Sequence, residues 1–143
     1  MDQKDYILRE IERLGYILAR IRDRILGRAT SLGAVRQELH AAAGMLGVDL
    51  EIAQQVTPAT LLLLVGAGGS VEPTRCWFLA ESLYLQGLEA RLAGTAEEGA
   101  DLLLRARLLF QLLHERNFRL VEVTEAAERI QEIDALLGAR SPP

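Results

Sequence analysis

Few side chains in this chain could act as nucleophiles, general bases or metal ligands. Cys76 is the only cysteine, and His40 and His114 are the only histidines. A metal site on one helix would need further ligands about one turn away from a histidine, but the positions three and four residues after His40 hold Ala43 and Gly44. We therefore predict that His40 is a partly exposed structural residue.

The sequence around His114 and Cys76 offers no catalytic partner either. Glu115 follows His114, but no carboxylate precedes it by three or four residues, so the Glu-x-x-His pattern of di-iron bundles is missing. Cys76 is followed by Trp77 and Phe78, which indicates a buried and inert thiol. We predict no catalytic, cofactor-binding or metal-binding residue, and no cofactor.

A glycine-rich stretch, LLLLVGAGGSVEP, has the composition of a phosphate-binding loop. The third glycine of a dinucleotide fingerprint would fall at Val71, Pro73 would interrupt the helix that must follow, and no alternating strands are predicted elsewhere to form a sheet. A Walker loop would need a lysine after the glycines, and none follows. We interpret the stretch as a flexible interhelical loop that binds no nucleotide.

The first predicted helix carries several arginines that could bind phosphates or an acidic partner. Arg9, Arg13, Arg20 and Arg24 recur at spacings of four and seven residues, so they share one broad side of the helix. Acidic residues interrupt that side. A solvated helix exterior is therefore the better interpretation.

Length and composition indicate one helical domain. The chain has 143 residues, of which 50% are hydrophobic and only 5% aromatic; a core of aliphatic residues suits helix packing better than a sandwich of sheets. We predict a single domain over residues 1–138 and a disordered tail over residues 139–143. The formal net charge of −4 gives no general attraction to nucleic acid.

The sequence predicts residence in the cytoplasm and no contact with a membrane. The amino-terminal stretch MDQKDYILREIERL is charged throughout and lacks the apolar run of a signal peptide. The longest apolar run covers residues 59–65 if Thr60 is tolerated, whereas a membrane-spanning helix needs roughly 20 residues. With a single cysteine, no disulfide can form within the chain.

Residues 3–27 are predicted to form a helix with a heptad seam. The seam residues step by four and three alternately: Ile7, Ile11, Leu14, Leu18, Ile21 and Ile25. Two interpretations remain open. The seam could belong to the core of a bundle within one chain, or it could mediate self-association.

Residues 75–116 are predicted to form a central hairpin of two apolar helices. Trp77, Tyr84 and Leu88 lie on one face of the first arm, Gly94 breaks the helix, and Thr95 is predicted to cap the second arm as part of a capping box. A loop this short requires antiparallel arms.

This hairpin resembles a tetratricopeptide unit, because Trp77 and Tyr84 lie seven residues apart and the second arm carries Ala106 and Phe110. Glu81 stands where that motif has glycine, and no second copy of the pattern follows at a period of about 34 residues. The longer pattern of DYILREIERL, LAESLYLQG and GTAEEGADLLLRA is similar to an uncharacterised family of small all-helical bacterial proteins. That resemblance implies a fold and no activity.

Shorter elements complete the predicted fold. Thr30 or Ser31 is predicted to cap a second helix up to about residue 46, residues 49–56 to form a short helical turn, and residues 58–65 another helix after Thr57. A linking segment over residues 117–123 and a last helix capped by Thr124 follow. The fold class is therefore all-α, a bundle of five to six helices.

From this pattern we expect a protein–protein interaction or scaffolding module without catalytic activity. The alternative is a small-molecule-binding or enzymatic helical bundle whose site cannot be recognised from sequence. Because the first helix and the hairpin carry more apolar surface than a small bundle can cover, we also expect a homodimer in which one of them supplies the contact. No nucleic acid and no membrane are expected as partners.

Overall fold

In a computed structural model, the backbone is described for residues 3–66, 73–116 and 126–138, and the side chains for residues 9–65, 73–115 and 126–138. Every regular element in these ranges is a helix, which confirms the all-α class. The helices are α1 (Gln3–Leu26), α2 (Leu32–Leu46), α3 (Leu50–Gln55), α4 (Pro58–Gly66), α5 (Pro73–Leu92), α6 (Ala96–Arg116) and α7 (Ala126–Gly138).

The described ranges contain seven helices, so the predicted number of five to six was wrong. The difference arises at residues 49–56, where the predicted turn forms α3. Asp49 stabilises its start, because the carboxylate accepts a hydrogen bond from the Ile52 amide at 3.2 Å. The predicted linker at 117–123, the cap at Thr124, the tail at 139–143 and the glycines after Gly66 lie outside the described residues.

Side-chain caps at two predicted helix starts are confirmed. Ser31, rather than Thr30, caps α2, and its hydroxyl accepts from the Ala34 amide at 3.2 Å. Thr57 caps α4, and its hydroxyl accepts from the Thr60 amide at 3.2 Å. Both contacts satisfy amides that have no partner inside the helix.

α5 lies at the centre of the molecule. Every residue from Cys76 to Ala90 is buried, because α1, α2 and α6 pack around α5 and the short helices α3 and α4 cover further parts of it. A helix that is apolar nearly all round requires such an environment. The prediction that this arm is central is confirmed.

The turn between α5 and α6 differs in detail from the predicted capping box. Gly94 has the left-handed backbone conformation expected at a helix end, with φ at 93°. The Thr95 hydroxyl donates a hydrogen bond to the Ala90 carbonyl at 2.8 Å. Thr95 therefore closes the end of α5 and does not cap α6 with its side chain, so the capping-box prediction was wrong.

α5 and α6 run antiparallel and approach closely where two glycines meet. A Cβ atom built on Gly99 would lie 3.0 Å from the Gly87 carbonyl oxygen and 3.0 Å from the Arg91 amide nitrogen. A Cβ atom on Gly87 would lie 2.8 Å from the Leu103 side chain. The two backbones can pack this closely only because both positions lack side chains.

The heptad seam of α1 faces the interior of the bundle. All seam residues with described side chains are buried: Ile11, Leu14, Leu18, Ile21 and Ile25. α1 packs on α5, so the seam belongs to the core of one chain.

The described helices include none that is long and apolar enough to cross a membrane.

Candidate functional site

The three residues that could act as nucleophile, base or metal ligand, Cys76, His40 and His114, lie on three different helices. Cys76 is 0% exposed, and its sulfur lies 3.7 Å from the Leu109 carbonyl oxygen. His40 and His114 are exposed. Among the described side chains, no group of three or more histidine, cysteine or carboxylate residues could hold a metal ion.

A buried network of charged and hydroxyl groups joins α5 to α7 and α1. Arg129 on α7 donates from Nε to Glu81 Oε1 on α5 at 3.0 Å, and its Nη1 contacts Glu132 Oε1 at 3.0 Å. The side chains of Arg129 and Glu81 are only 14% and 7% exposed. Because water reaches little of either group, this ion pair is screened far less than a surface pair.

Tyr84 connects this pair to α1. Its hydroxyl donates to Glu132 Oε2 at 2.6 Å and accepts from Arg22 Nε at 3.3 Å. The Arg129 guanidinium lies 4.9 Å from the centre of the Tyr84 ring, within cation–π range. The cluster therefore contains two arginines, two glutamates and one tyrosine, and the formal charges of the arginines and glutamates cancel. We call these five residues the α5–α7 network.

The pKa shifts in the α5–α7 network all favour fixed protonation states at neutral pH. Burial, together with the hydrogen bond to Glu132, raises the pKa of Tyr84 to about 12. The hydrogen bond to Tyr84 raises the pKa of Arg22. Burial opposes the charge of Arg129, but Glu81, Tyr84 and Glu132 together outweigh it and the pKa is raised.

A cleft opens above the α5–α7 network, between α1 and α7. Its volume is about 480 Å³. The lining residues are Glu12, Gly15, Tyr16, Leu18, Ala19, Arg22, Asp23, Trp77, Glu81 and Arg129. Gly15 and Ala19, one helical turn apart on α1, leave room for the cleft. Two of the ten lining residues are aromatic and five are charged, so the cleft is more polar than most small-molecule sites.

A second surface is apolar and lies on α3 and α4. Ile52, Leu63 and Leu64 are 46%, 62% and 41% exposed, and Ile52 and Leu64 line one shallow depression together with Val48. Leu61 and Val65 of α4 are buried, which directs Leu63 and Leu64 outward. The sequence contains no charged residue from position 52 to position 71. We call Val48, Ile52, Leu63 and Leu64 the α3–α4 face.

Sequence reasoning missed the α5–α7 network and the α3–α4 face. Glu81 was noted only as a departure from the tetratricopeptide pattern, and Arg129 and Glu132 were not singled out. The available signal was a glutamate and a tyrosine three residues apart on a helix predicted to be buried, since buried charges need partners. The partner helix could not be named, because α7 is distant in sequence.

No known protein family, curated protein or solved structure matches this chain. The chemistry of the site is therefore inferred from its own geometry.

Proposed function

We propose that this chain is a protein–protein interaction module without catalytic activity and that it self-associates as a homodimer through the α3–α4 face. The exposed side chain of Leu63, 62% accessible on an uncharged helix, carries the proposal. Large contiguous apolar patches on a surface mark interaction sites. From the sequence we expected the first helix or the face of the central hairpin to supply the contact. The described α1 seam and α5 from Cys76 to Ala90 are buried within the chain, so we place the contact on the α3–α4 face instead.

A second copy is the partner that fits the α3–α4 face best. In a two-fold dimer the same patch meets itself, so a charged patch would place like charges opposite each other. The four residues of the α3–α4 face carry no charge, and the two charged residues that border its depression, Asp49 and Arg75, have opposite signs. The remainder of the chain has a net charge of −4, which makes association through other surfaces less favourable.

The wider assignment rests on the hairpin and on the sequence pattern. We propose that α5 and α6 form a tetratricopeptide-like hairpin, that the chain belongs to a family of small all-helical bacterial proteins, and that it acts in the cytoplasm. The antiparallel arms and the close approach of Gly87 and Gly99 support the hairpin. Tetratricopeptide units bind protein partners by stacking and by their exposed faces.

Light scattering tests the homodimer. At micromolar concentration we expect a mass of twice the 15.8 kDa chain, and Leu63→Arg with Leu64→Arg should give a folded protein of one chain mass. Leu26→Arg is the matched control, because Leu26 is 50% exposed at the far end of α1. It should leave the dimer intact. A wild-type mass of 15.8 kDa that does not change with concentration would exclude self-association.

The cleft between α1 and α7 favours a second candidate function, the binding of a small molecule. Trp77, the only tryptophan, lines the cleft, so its fluorescence should report an occupant. We would screen a metabolite panel by thermal shift and tryptophan fluorescence, since a ligand that binds only the folded state stabilises it. Ala19→Leu should narrow the cleft and abolish any response. A response that survives this substitution would place the ligand elsewhere.

A further inference from the structure

A second buried polar line runs along α5 on the side that faces α2 and α3. Ser82 and Gln86 are one helical turn apart, so they lie on the same face, and both are 0% exposed. Gln86 Oε1 accepts from Arg36 Nε on α2 at 3.0 Å and from Gln54 Nε2 on α3 at 2.8 Å. This line is separate from the α5–α7 network, which lies on another side of α5.

Two polar atoms on this line have no hydrogen-bond partner among the described residues: Ser82 Oγ and Gln86 Nε2. The orientation of the Gln86 amide is well determined, because two donors already point at its oxygen and a flipped amide would oppose donor to donor. Buried polar atoms in proteins are almost always hydrogen-bonded, since an unmade bond costs the desolvation of the group. Both atoms therefore need a partner that the described part of the chain does not supply.

We propose that an ordered water molecule bridges Ser82 Oγ and Gln86 Nε2 inside the interface of α5 with α2 and α3. Side chains four residues apart on a helix are neighbours, with Cβ atoms about 5–6 Å apart, so a water that lies between the Ser82 and Gln86 side chains can bond to both with hydrogen bonds of about 2.7–3.2 Å. The water accepts from the Gln86 amide and exchanges a hydrogen bond with the Ser82 hydroxyl. Buried waters typically satisfy polar groups of this kind.

The groups around Ser82 and Gln86 favour a water molecule over an ion at this site. A cation would face the Gln86 amide hydrogens, and an anion would lie one turn from Glu89, which is buried at 5% exposure. The side chain of Glu89 makes no hydrogen bond or ion pair in the described part of the chain. The hydrated contact attaches α3, and with it Ile52 of the α3–α4 face, to the central helix through Gln54 and Gln86.

Oxygen-17 magnetic relaxation dispersion tests this site, because it counts water molecules that remain bound much longer than surface water. Wild-type protein should show a long-lived water whose contribution disappears in Ser82→Ala. Ser31→Ala is the matched control: the exposed Ser31 hydroxyl caps α2, so its loss should lower the urea midpoint and leave the water signal unchanged. An identical dispersion in wild type and Ser82→Ala overturns the proposal.

The urea midpoint gives an independent test, because an unpaired hydroxyl and a water-bound hydroxyl predict changes of opposite sign in Ser82→Ala. If Ser82 Oγ is simply unpaired, Ser82→Ala removes a buried unsatisfied group and should raise the urea midpoint. If the hydroxyl holds a water that also satisfies Gln86, the same substitution should lower the midpoint, and Ser82→Thr should retain the water signal. A raised midpoint in Ser82→Ala contradicts the bridge.

Discussion

The ion pair of Glu81 and Arg129 shows that a buried charged residue requires an oppositely charged neighbour. Glu81 lies on a helix that is buried along most of its length, and Arg129, which approaches within 3.0 Å, compensates its charge. The same guanidinium also contacts Glu132 and lies over the ring of Tyr84. Loss of Arg129 would remove the cation that pairs with Glu81 and covers the Tyr84 ring, while Arg22 would stay 3.6 Å from Glu132.

We therefore expect Arg129→Leu to destabilise the protein by about 3–5 kcal/mol, the usual cost of an uncompensated buried charge. The matched control is Arg107→Leu, which breaks the partly exposed pair of Arg107 with Asp134 and should cost less than about 1 kcal/mol. Urea denaturation measures both. Equal losses in the two variants would mean that burial does not strengthen the Glu81 pair.

Tyr84 should make stability depend on pH in the alkaline range. In the unfolded chain its pKa takes the ordinary value of 10.0, and in the folded protein it is about 12. Between these values the folded state holds the proton that the unfolded state has lost, so stability falls as pH rises. We expect a loss on the order of 2 kcal/mol between pH 9 and pH 11.5.

Urea unfolding at several pH values measures this loss, and Tyr84→Phe is the control. The phenylalanine variant is less stable at pH 9, because Glu132 loses a donor, but its stability should decline less between pH 9 and pH 11.5. Parallel profiles for the two proteins would show that Tyr84 does not titrate with a raised pKa.

At the scale of the helices, the contact between α5 and α6 depends on an absence of side chains. A methyl group on Gly99 would meet backbone atoms of Gly87 and Arg91 at 3.0 Å, and backbone atoms cannot move aside as a side chain can. We expect Gly99→Ala to destabilise the protein by about 1–3 kcal/mol, although alanine favours helix by roughly 1 kcal/mol.

Gly44→Ala on α2 isolates the propensity effect, because nothing lies within 4 Å of the added Cβ atom there. That variant should be more stable than wild type by about 0.5–1 kcal/mol, as measured by thermal unfolding. If Gly99→Ala raised the stability by as much as Gly44→Ala, α5 and α6 would have to lie further apart than they do in the structure.

Local signals in the sequence predicted more of the helices than of their contacts. The heptad spacing of α1 and the caps at Ser31 and Thr57 act within a few residues, so a linear pattern is enough to locate them. Thr95 was assigned to the wrong helix, since a threonine between two helices can bond in either direction and the nearer Ala90 carbonyl takes its hydroxyl.

Contacts between distant elements could not be read in this way. Gly87 contacts Gly99, and Glu81 pairs with Arg129. Both contacts depend on how the helices are arranged in space. The α3–α4 face was likewise invisible, because a run of leucines does not reveal which of them face outward. Burial and exposure are properties of the assembled molecule.

For the whole molecule, the central position of α5 makes Cys76 a reporter of global opening. The thiol is 0% exposed and lies against α6 at the Leu109 carbonyl, so a thiol reagent can reach it only when the bundle opens. We expect labelling of native protein to be slow. Its rate should track the equilibrium population of the open form when opening and closing are fast.

Cys76 labelling also separates opening of the bundle from dissociation of the proposed dimer. Arg129→Leu should accelerate labelling by the factor that corresponds to its loss of stability, about tenfold for each 1.4 kcal/mol. Leu63→Arg should leave the rate nearly unchanged at protein concentrations where only the wild type is dimeric, because the α3–α4 face lies outside the core. Acceleration by Leu63→Arg equal to that by Arg129→Leu would mean that subunit contact, rather than the packing around α5, protects the thiol.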